Sequence, residues 1–250
     1  QHIENQEKET LAFNEKITLN NIYYSYPNAE RTALKNISLE IPAKSTIGLV
    51  GATGSGKTTT VDIILGLLEP QKGNLKVDEK VITKENSRSW QRCIGYVPQS
   101  IFLSDDTVSA NIGFGVEPND INQEMVEKAA KIANLHDFVV NELPSQYKTT
   151  VGERGVRLSG GQRQRIGIAR ALYHQPEVLI LDEATSALDN ITEKAVIDAV
   201  DNLRNNLTII LIAHRLNTIK QCDTIFKFDQ GQLVGKGTFD DLINGVENNF

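Results

Sequence analysis

The stretch Thr46-Ile47-Gly48-Leu49-Val50-Gly51-Ala52-Thr53-Gly54-Ser55-Gly56-Lys57-Thr58-Thr59 decides how this chain reads. Thr46–Val50 is a short, nearly continuous apolar run, the pattern of a strand covered on both faces. It leads straight into Gly51–Thr58, which fits G-x-x-x-x-G-K-[ST], the spacing of a phosphate-binding loop. Glycines at those positions let the backbone curl until several N–H groups point inward at phosphate oxygens. Lys57 adds a cation at the β and γ phosphates, and the Thr58 hydroxyl suits Mg2+. A helical pattern over residues 58–68 follows, so the positive end of a helix aims at the same anion. A chance glycine-rich turn would need neither the strand before it nor the helix after it.

Working outward, Val178–Leu181 is a second apolar strand, and it ends in Asp182 and Glu183. Beside a phosphate loop, a strand-end aspartate suits the Mg2+ shell, and a carboxylate just beyond it suits a water-polarising base. Leu158-Ser-Gly-Gly-Gln162 opens a helical stretch. Ser159 and Gln162 fit a capping box, which is a purely structural reading. Two glycines in a first turn nevertheless weaken a helix, and they make sense where something approaches the backbone closely. His214 follows the apolar strand Leu207–Ala213, expected beside the Asp182 strand, which would bring His214 near the γ-phosphate. Gln99, in Tyr96-Val-Pro-Gln99, says nothing alone. Tyr26 suits either stacking on a base or ordinary strand packing.

Composition narrows the classes. The chain has 250 residues, 40% of them hydrophobic and 23% charged, so it can bury a core of one large domain or two small ones. With 26 basic and 32 acidic residues the net charge is −6, which argues against a nucleic-acid partner. The arginines from Arg154 to Arg170 then read as solvated helix faces or partners of phosphates and carboxylates. Apolar runs reach about six residues, and a membrane span needs about 20. Cys93 and Cys222 are far apart and read as free thiols. Strands alternate with helices, which predicts an α/β core with a mainly parallel sheet. Antiparallel pieces are expected near both ends, including a hairpin of residues 224–228 and 232–234 around an Asp229–Gly231 turn. Residues 1–14 read as a polar arm, and the middle of the chain as an inserted helical subdomain.

Together these motifs resemble the nucleotide-binding domain of ABC transporters, over essentially the whole chain after about residue 15. Gly51–Thr58 is similar to the Walker A loop, and Leu158–Gln162 is identical to the family signature LSGGQ. Gln99 looks like the Q-loop glutamine. Asp182 and Glu183 match the Walker B aspartate and catalytic glutamate. Ser186-Ala-Leu-Asp189 looks like the D-loop, His214 like the switch histidine, and Tyr26 like the aromatic that stacks on adenine. Val151–Gly155 and Asp106–Ile112 resemble the exporter branch, and Thr60–Leu67 resembles bacterial flippases of lipid-linked oligosaccharides.

The resemblance implies a phosphate-loop NTPase core of the ABC ATPase type, with an antiparallel β subdomain and a helical subdomain inserted at about residues 100–175. It implies that residues 15–250 form the domain and residues 1–14 a linker from a transmembrane domain normally in the same chain. It further implies an ATP hydrolase. Mg-ATP would be held between two copies, head to tail, to drive export or flipping of a substrate at the cytoplasmic face of the inner membrane; this portion alone would be soluble. ATP would meet Tyr26, Gly51, Ala52, Thr53, Gly54, Ser55, Gly56, Lys57, Thr58 and Thr59 of one copy. Ser159, Gly160, Gly161, Gln162 and Asp189 would complete the site. Thr58, Gln99 and Asp182 would hold Mg2+, with Glu183, His214, Lys57 and Gln99 as catalytic groups. The competing reading is a soluble ABC-type ATPase of DNA repair or of ribosomes. The first usually separates the Lys57-type and Asp182-type motifs by a long coiled coil; here they lie only about 120 residues apart, without heptads between them.

Overall fold

The computed structural model describes residues 11–182, 190–213 and 219–243. They belong to two compact units, one built from residues up to Ile94 together with those from Thr208, the other from Gly95–Leu207.

In the first unit, β1 (Lys16–Tyr24) is the centre of an antiparallel sheet. It pairs with β2 (Leu34–Pro42) on one side and β4 (Lys72–Val77) on the other, and β4 carries the short β5 (Lys80–Val81). From Ile37 to Pro42 buried and exposed residues alternate strictly, the period of a sheet with one covered face. The buried set includes Ile17, Leu19, Ile37, Leu39, Ile41, Leu75 and Val77.

The same unit holds the expected parallel strands. β3 (Thr46–Val50) lies between β10 (Thr208–Ile212) and β11 (Thr224–Asp229), parallel to both. Every residue of β10 and the first four of β3 are buried, as strands covered on both faces should be. β11 continues into β12 (Gln232–Gly237) as an antiparallel hairpin, the one expected from the Asp229–Gly231 turn.

After β3 comes α1 (Lys57–Ile64). It is shorter than the helix expected to residue 68. Gly66 takes φ +67°, a left-handed conformation that stops the helix, and leaves Leu67 63% exposed. α2 (Ser87–Gln91) follows β5 and buries Trp90 completely, with the indole N–H donating to the Ile64 carbonyl at 2.7 Å. The end of the polar arm is docked rather than frayed. Leu11 and Phe13 are buried, and Phe13 meets Trp90 edge to face at 5.8 Å.

The second unit begins within β6 (Ile94–Val97), which stands beside β9 (Val178–Asp182). A small antiparallel pair, β7 (Asp106–Thr107) and β8 (Thr150–Val151), braces its loops. Its helices are α3 (Val108–Ile112), α4 (Gln123–Ile132), α5 (His136–Glu142), α6 (Gly160–Leu172) and α7 (Asn190–Leu203). α4 is capped by the Asn122 side chain, which accepts from the Met125 N–H at 3.1 Å. α8 (Phe239–Ile243) belongs to the first unit. No described helix is long and apolar enough to cross a membrane.

One carboxylate fixes where the chain enters the first unit. Asp78, in the β4–β5 turn at φ +53°, accepts the N–H groups of Glu15 at 2.8 Å, Lys16 at 3.0 Å and Asn14 at 3.0 Å. Partial burial presses its pKa upward, but the amides of Glu15, Asn14 and Lys16 together hold the carboxyl below its ordinary value. A depressed pKa contributes stability that is fully present above the unfolded value, about 3.9, and is lost as pH falls through the folded value. Asp78→Asn is therefore expected to cost about 1 kcal/mol at pH 7, once solvent screening is allowed for. That difference should shrink as pH falls below the unfolded value and through the folded one. Urea unfolding of both proteins across this range is the check, and an equal gap at both ends would contradict it.

Candidate nucleotide-binding site

The phosphate loop runs from the end of β3 to the first turn of α1. Gly51, Gly54 and Gly56 have φ of +150°, +78° and +111°, conformations that a Cβ would strain. A Cβ at Gly51 would strike the Phe228 carbonyl, and one at Gly56 the Leu34 side chain. At Gly54 it would meet nothing within 4 Å, so there the glycine answers to its dihedral angle alone and that side of the loop is open. Gly56 is the N-cap of α1 and has no side chain to cap it. The positive end of the helix dipole thus coincides with the loop, an arrangement that suits an anion.

The Lys57 side chain folds back over the loop. It is 4% exposed, and its ammonium donates to the carbonyls of Gly51 at 2.5 Å and Ala52 at 2.9 Å, with Ser55 Oγ at 3.5 Å. A cation is thus fixed inside the curl of the loop. Ala52, Thr53, Gly54 and Thr58 are exposed, so the Thr58 hydroxyl is available, whereas Ser55, Gly56 and Thr59 are buried. Below the loop, the Gly231 N–H of the β11–β12 turn donates to the Ser55 carbonyl at 2.9 Å, and the Gly231 carbonyl accepts from Lys35 N at 2.7 Å. The hairpin turn therefore props the loop. Its sequence announced a turn but not this role, because the contact spans more than 170 residues.

Tyr26 stands next to this loop. Its hydroxyl is hydrogen-bonded to Thr59 Oγ1 at 3.0 Å, its ring meets Tyr24 edge to face at 5.0 Å, and 41% of the residue is exposed. The ring is therefore held by its hydroxyl while part of its surface faces solvent, a geometry suited to stacking. The strand itself ends at Tyr24, so ordinary strand packing does not account for Tyr26.

The remaining described candidates lie in the second unit. Asp182 is the last residue of β9, and Gln99 is an exposed residue two positions beyond the neighbouring β6. Tyr96, on the exposed side of β6, donates its hydroxyl to Asp182 Oδ2 at 3.1 Å. This contact was not anticipated; the alternation of β6 between buried Gly95 and Val97 is the signal that Tyr96 points outward. Ser159 caps α6, with Oγ accepting from Gln162 N at 3.2 Å while Gln162 Oε1 accepts from Ser159 N at 2.8 Å. The capping box is real, and Ser159 and Gly160 are exposed beside it at the positive end of the helix, while Gly161 is buried. Glu183, Asp189 and His214 lie outside the described residues.

Thr58 in the first unit carries a hydroxyl oxygen, and in the second unit Gln99 carries an amide oxygen and Asp182 a carboxylate; each is an oxygen donor of the kind a small hard cation prefers. No cluster of three or more His, Cys, Asp or Glu side chains that would suit a transition metal occurs among the described residues.

The arginine run divides: Arg154 and Arg157 are exposed, Arg154 pairing with the Asp105 carboxylate at 3.7 Å, whereas the others turn onto main-chain carbonyls. Arg165 donates to the carbonyls of Gly161 and Asn134, Arg170 to that of Asn111, and Arg163 to that of Leu158. Burial lowers the pKa of both Arg165 and Arg170 from the ordinary arginine value, with Glu142 partly opposing this at Arg165.

Comparison with known proteins agrees with this arrangement. The ABC transporter family model matches residues 34–186. The chain is 43% identical over 229 residues to an ATP-dependent lipid A-core flippase of Saccharophagus degradans, covering 92% of this chain and 38% of that protein. It is 42% identical over 228 residues to ATP-binding cassette sub-family B member 5 of Mus musculus, covering 91% of this chain and 18% of that protein. A bacterial Atm1-family ABC exporter with ATP bound superposes with a TM-score of 0.85 at 36% identity, covering 98% of this chain and 42% of that one. The chain therefore spans well under half the length of these relatives. With the ABC ATPase fold, the matched family region and the signature at the head of α6, the chain belongs to the ABC transporter family.

Proposed function

We propose that this chain binds and hydrolyses Mg-ATP as the motor of an ABC exporter or flippase, working as a head-to-tail pair of copies. The observation that carries the reading is the phosphate loop with Lys57 held inside its curl, together with a second anion-binding element at the capped N-terminus of α6. In this reading one triphosphate is engaged by the phosphate loop of one copy and by Ser159–Gln162 of another. The nucleotide then bridges two surfaces, and loss of its γ-phosphate releases them. That is a two-state element biased by a ligand.

In this reading Gly51–Thr59 wrap the phosphates and Lys57 offsets charge developing at the β and γ positions. Tyr26 stacks on the base, and Asp189 helps to complete the site from the partner copy. Glu183 orients and deprotonates the attacking water, and His214 holds the γ-phosphate side of the geometry. Thr58, Gln99 and Asp182 hold Mg2+, which when bound neutralises phosphate charge. In this reading the motor serves a transmembrane domain and acts at the cytoplasmic face of the inner membrane. The flippase and exporter relatives support this reading over a soluble repair or ribosomal ATPase. Several of the similar proteins are ATP-dependent lipid A-core flippases, which supports a motor of the flippase type.

Three measurements test the reading. Glu183→Gln should lower turnover by roughly 10²–10⁴-fold while ATP binding persists, and its solution mass should double on adding Mg-ATP in light scattering after size exclusion. Near-parental turnover would remove Glu183 from the role of base, and a nucleotide-bound monomer would argue against the paired site. Lys57→Ala should weaken binding of a fluorescent ATP analogue by roughly 10–100-fold, the loss of one charge-assisted contact. Unchanged affinity would contradict its assignment. Ser159→Arg, made in the Glu183→Gln background, should keep nucleotide affinity within about twofold and abolish the mass increase, because the bulk and charge sit where the second copy must approach. ATP-driven pairs in that variant would refute a role for Ser159 across the interface.

A further inference from the structure

The arginine run contains one residue that neither nucleotide chemistry nor solvation explains. Arg170 lies in the last turn of α6, half-buried, at the opposite end of the helix from Ser159. Its Nε donates to the Asn111 main-chain carbonyl at 2.8 Å and its NH2 to Asn111 Oδ1 at 3.3 Å, while its guanidinium lies 4.9 Å over the Phe114 ring. The fork and the planar face of arginine are both used, and lysine could supply neither.

Asn111, on α3, is completely buried and, besides accepting from Arg170, spends its side chain on one segment. Its Oδ1 accepts from Ser104 N at 3.0 Å and Ser104 Oγ at 3.2 Å. Its Nδ2 donates to the carbonyls of Ser104 at 3.1 Å, Thr107 at 3.0 Å and Asp106 at 3.3 Å. Between those acceptors stands Asp105. It accepts the Arg154 N–H at 3.0 Å and faces Arg154 Nε at 3.7 Å, so the loop that precedes the signature is held by the same segment. Arg170, Asn111, Ser104–Thr107 and Arg154 therefore form one continuous hydrogen-bonded bracket from the C-terminal end of α6 to the loop leading into its N-terminus.

We propose that Asn111 and Arg170 are positioning residues for the signature, the bracket fixing the tilt of α6 so that Ser159–Gln162 meet the nucleotide held by a second copy. This rests on the paired reading above. The lever is long: Ser159 is separated from Arg170 by about 16 Å of helix, so a tilt of about 5° there moves Ser159 by roughly 1.4 Å. A misplacement of about 1 Å far from the chemistry can cost about 10²-fold in rate. Neither residue touches the phosphate loop's own unit through these contacts, so binding of ATP to a single copy should be insensitive to them.

The test uses Arg170→Lys, Arg170→Ala and Asn111→Ala, each alone for turnover and each combined with Glu183→Gln for pairing. Three quantities are read: affinity for a fluorescent ATP analogue, solution mass with Mg-ATP, and the split between KM and kcat. The expected result is analogue affinity and KM within about twofold of the parent, a kcat lowered by about 10–10²-fold, and loss of ATP-driven pairs. Arg170→Lys should be impaired nearly as much as Arg170→Ala, because charge without the fork does not rebuild the bracket. Parental pairing and kcat in all three variants would overturn the inference. So would parallel losses of analogue affinity, thermal stability and pairing, which mark a general folding defect; Arg170→Lys, the mildest change, guards against reading that from a single collapsed variant. A Glu183→Gln parent that itself stays monomeric with Mg-ATP overturns the paired reading and this inference with it, whereas paired variants on a paired parent overturn this inference alone.

Discussion

A phosphate loop must keep its amides uncommitted and still hold its shape, and much of the first unit answers that constraint. The curl depends on left-handed backbone at Gly51, Gly54 and Gly56, and on the Lys57 ammonium donating to the loop's carbonyls. Beyond the Ser55 N–H, which donates to the Ala52 carbonyl at 3.1 Å, further support comes from elsewhere. The Gly231 N–H reaches the Ser55 carbonyl, Leu34 packs against Gly56, and the Tyr26 hydroxyl ties to Thr59 just inside α1. The antiparallel sheet and the C-terminal hairpin thus act as a cradle for a loop that cannot hold itself.

The second unit faces a different task, holding the N-terminal end of α6 steady. It does so with arginines turned inward. Arg165 bonds the first turn of α6 to the end of α4 through the carbonyls of Gly161 and Asn134, and Arg170 bonds the last turn to α3 through Asn111. Burial disfavours the charged form of both, so these contacts are made against a desolvation cost. Carbonyl acceptors and an aromatic face repay part of that cost in place of carboxylates.

Much of this was legible from local pattern. The strand and loop from Thr46, the β11–β12 hairpin and the cap of α6 are all short-range signals that stand where their residues put them, whereas the helix after the loop stops at Ile64, short of the expected residue 68. What escaped was either too short to have a period or made by contacts distant in sequence. The two-residue β7 and β8 and the five-residue α2 and α3 offer no repeat to read. The docking of Leu11 and Phe13 depends on Trp90, about 80 residues away, so a stretch judged polar by composition turned out to end in two buried side chains. The propping of the loop by Gly231 and the tie between Tyr96 and Asp182 are invisible to any local window. The arginines misled for a related reason: net charge predicts how a surface behaves, not where an individual guanidinium finds its acceptors.

The cap on α6 has a consequence for how Ser159 can act. A serine hydroxyl has two acceptor lone pairs and one proton. Accepting the Gln162 N–H occupies a lone pair and fixes the oxygen, but leaves the proton unspent. The side chain is thus already in a single rotamer, with a donor to give and almost no torsional freedom left to lose. Whatever anion arrives at this helix end finds the ordering entropy of that group settled when the helix folded, at roughly a few tenths to 1 kcal/mol for a side chain of this size. Here, helix stability and readiness to receive a ligand are properties of the same oxygen atom.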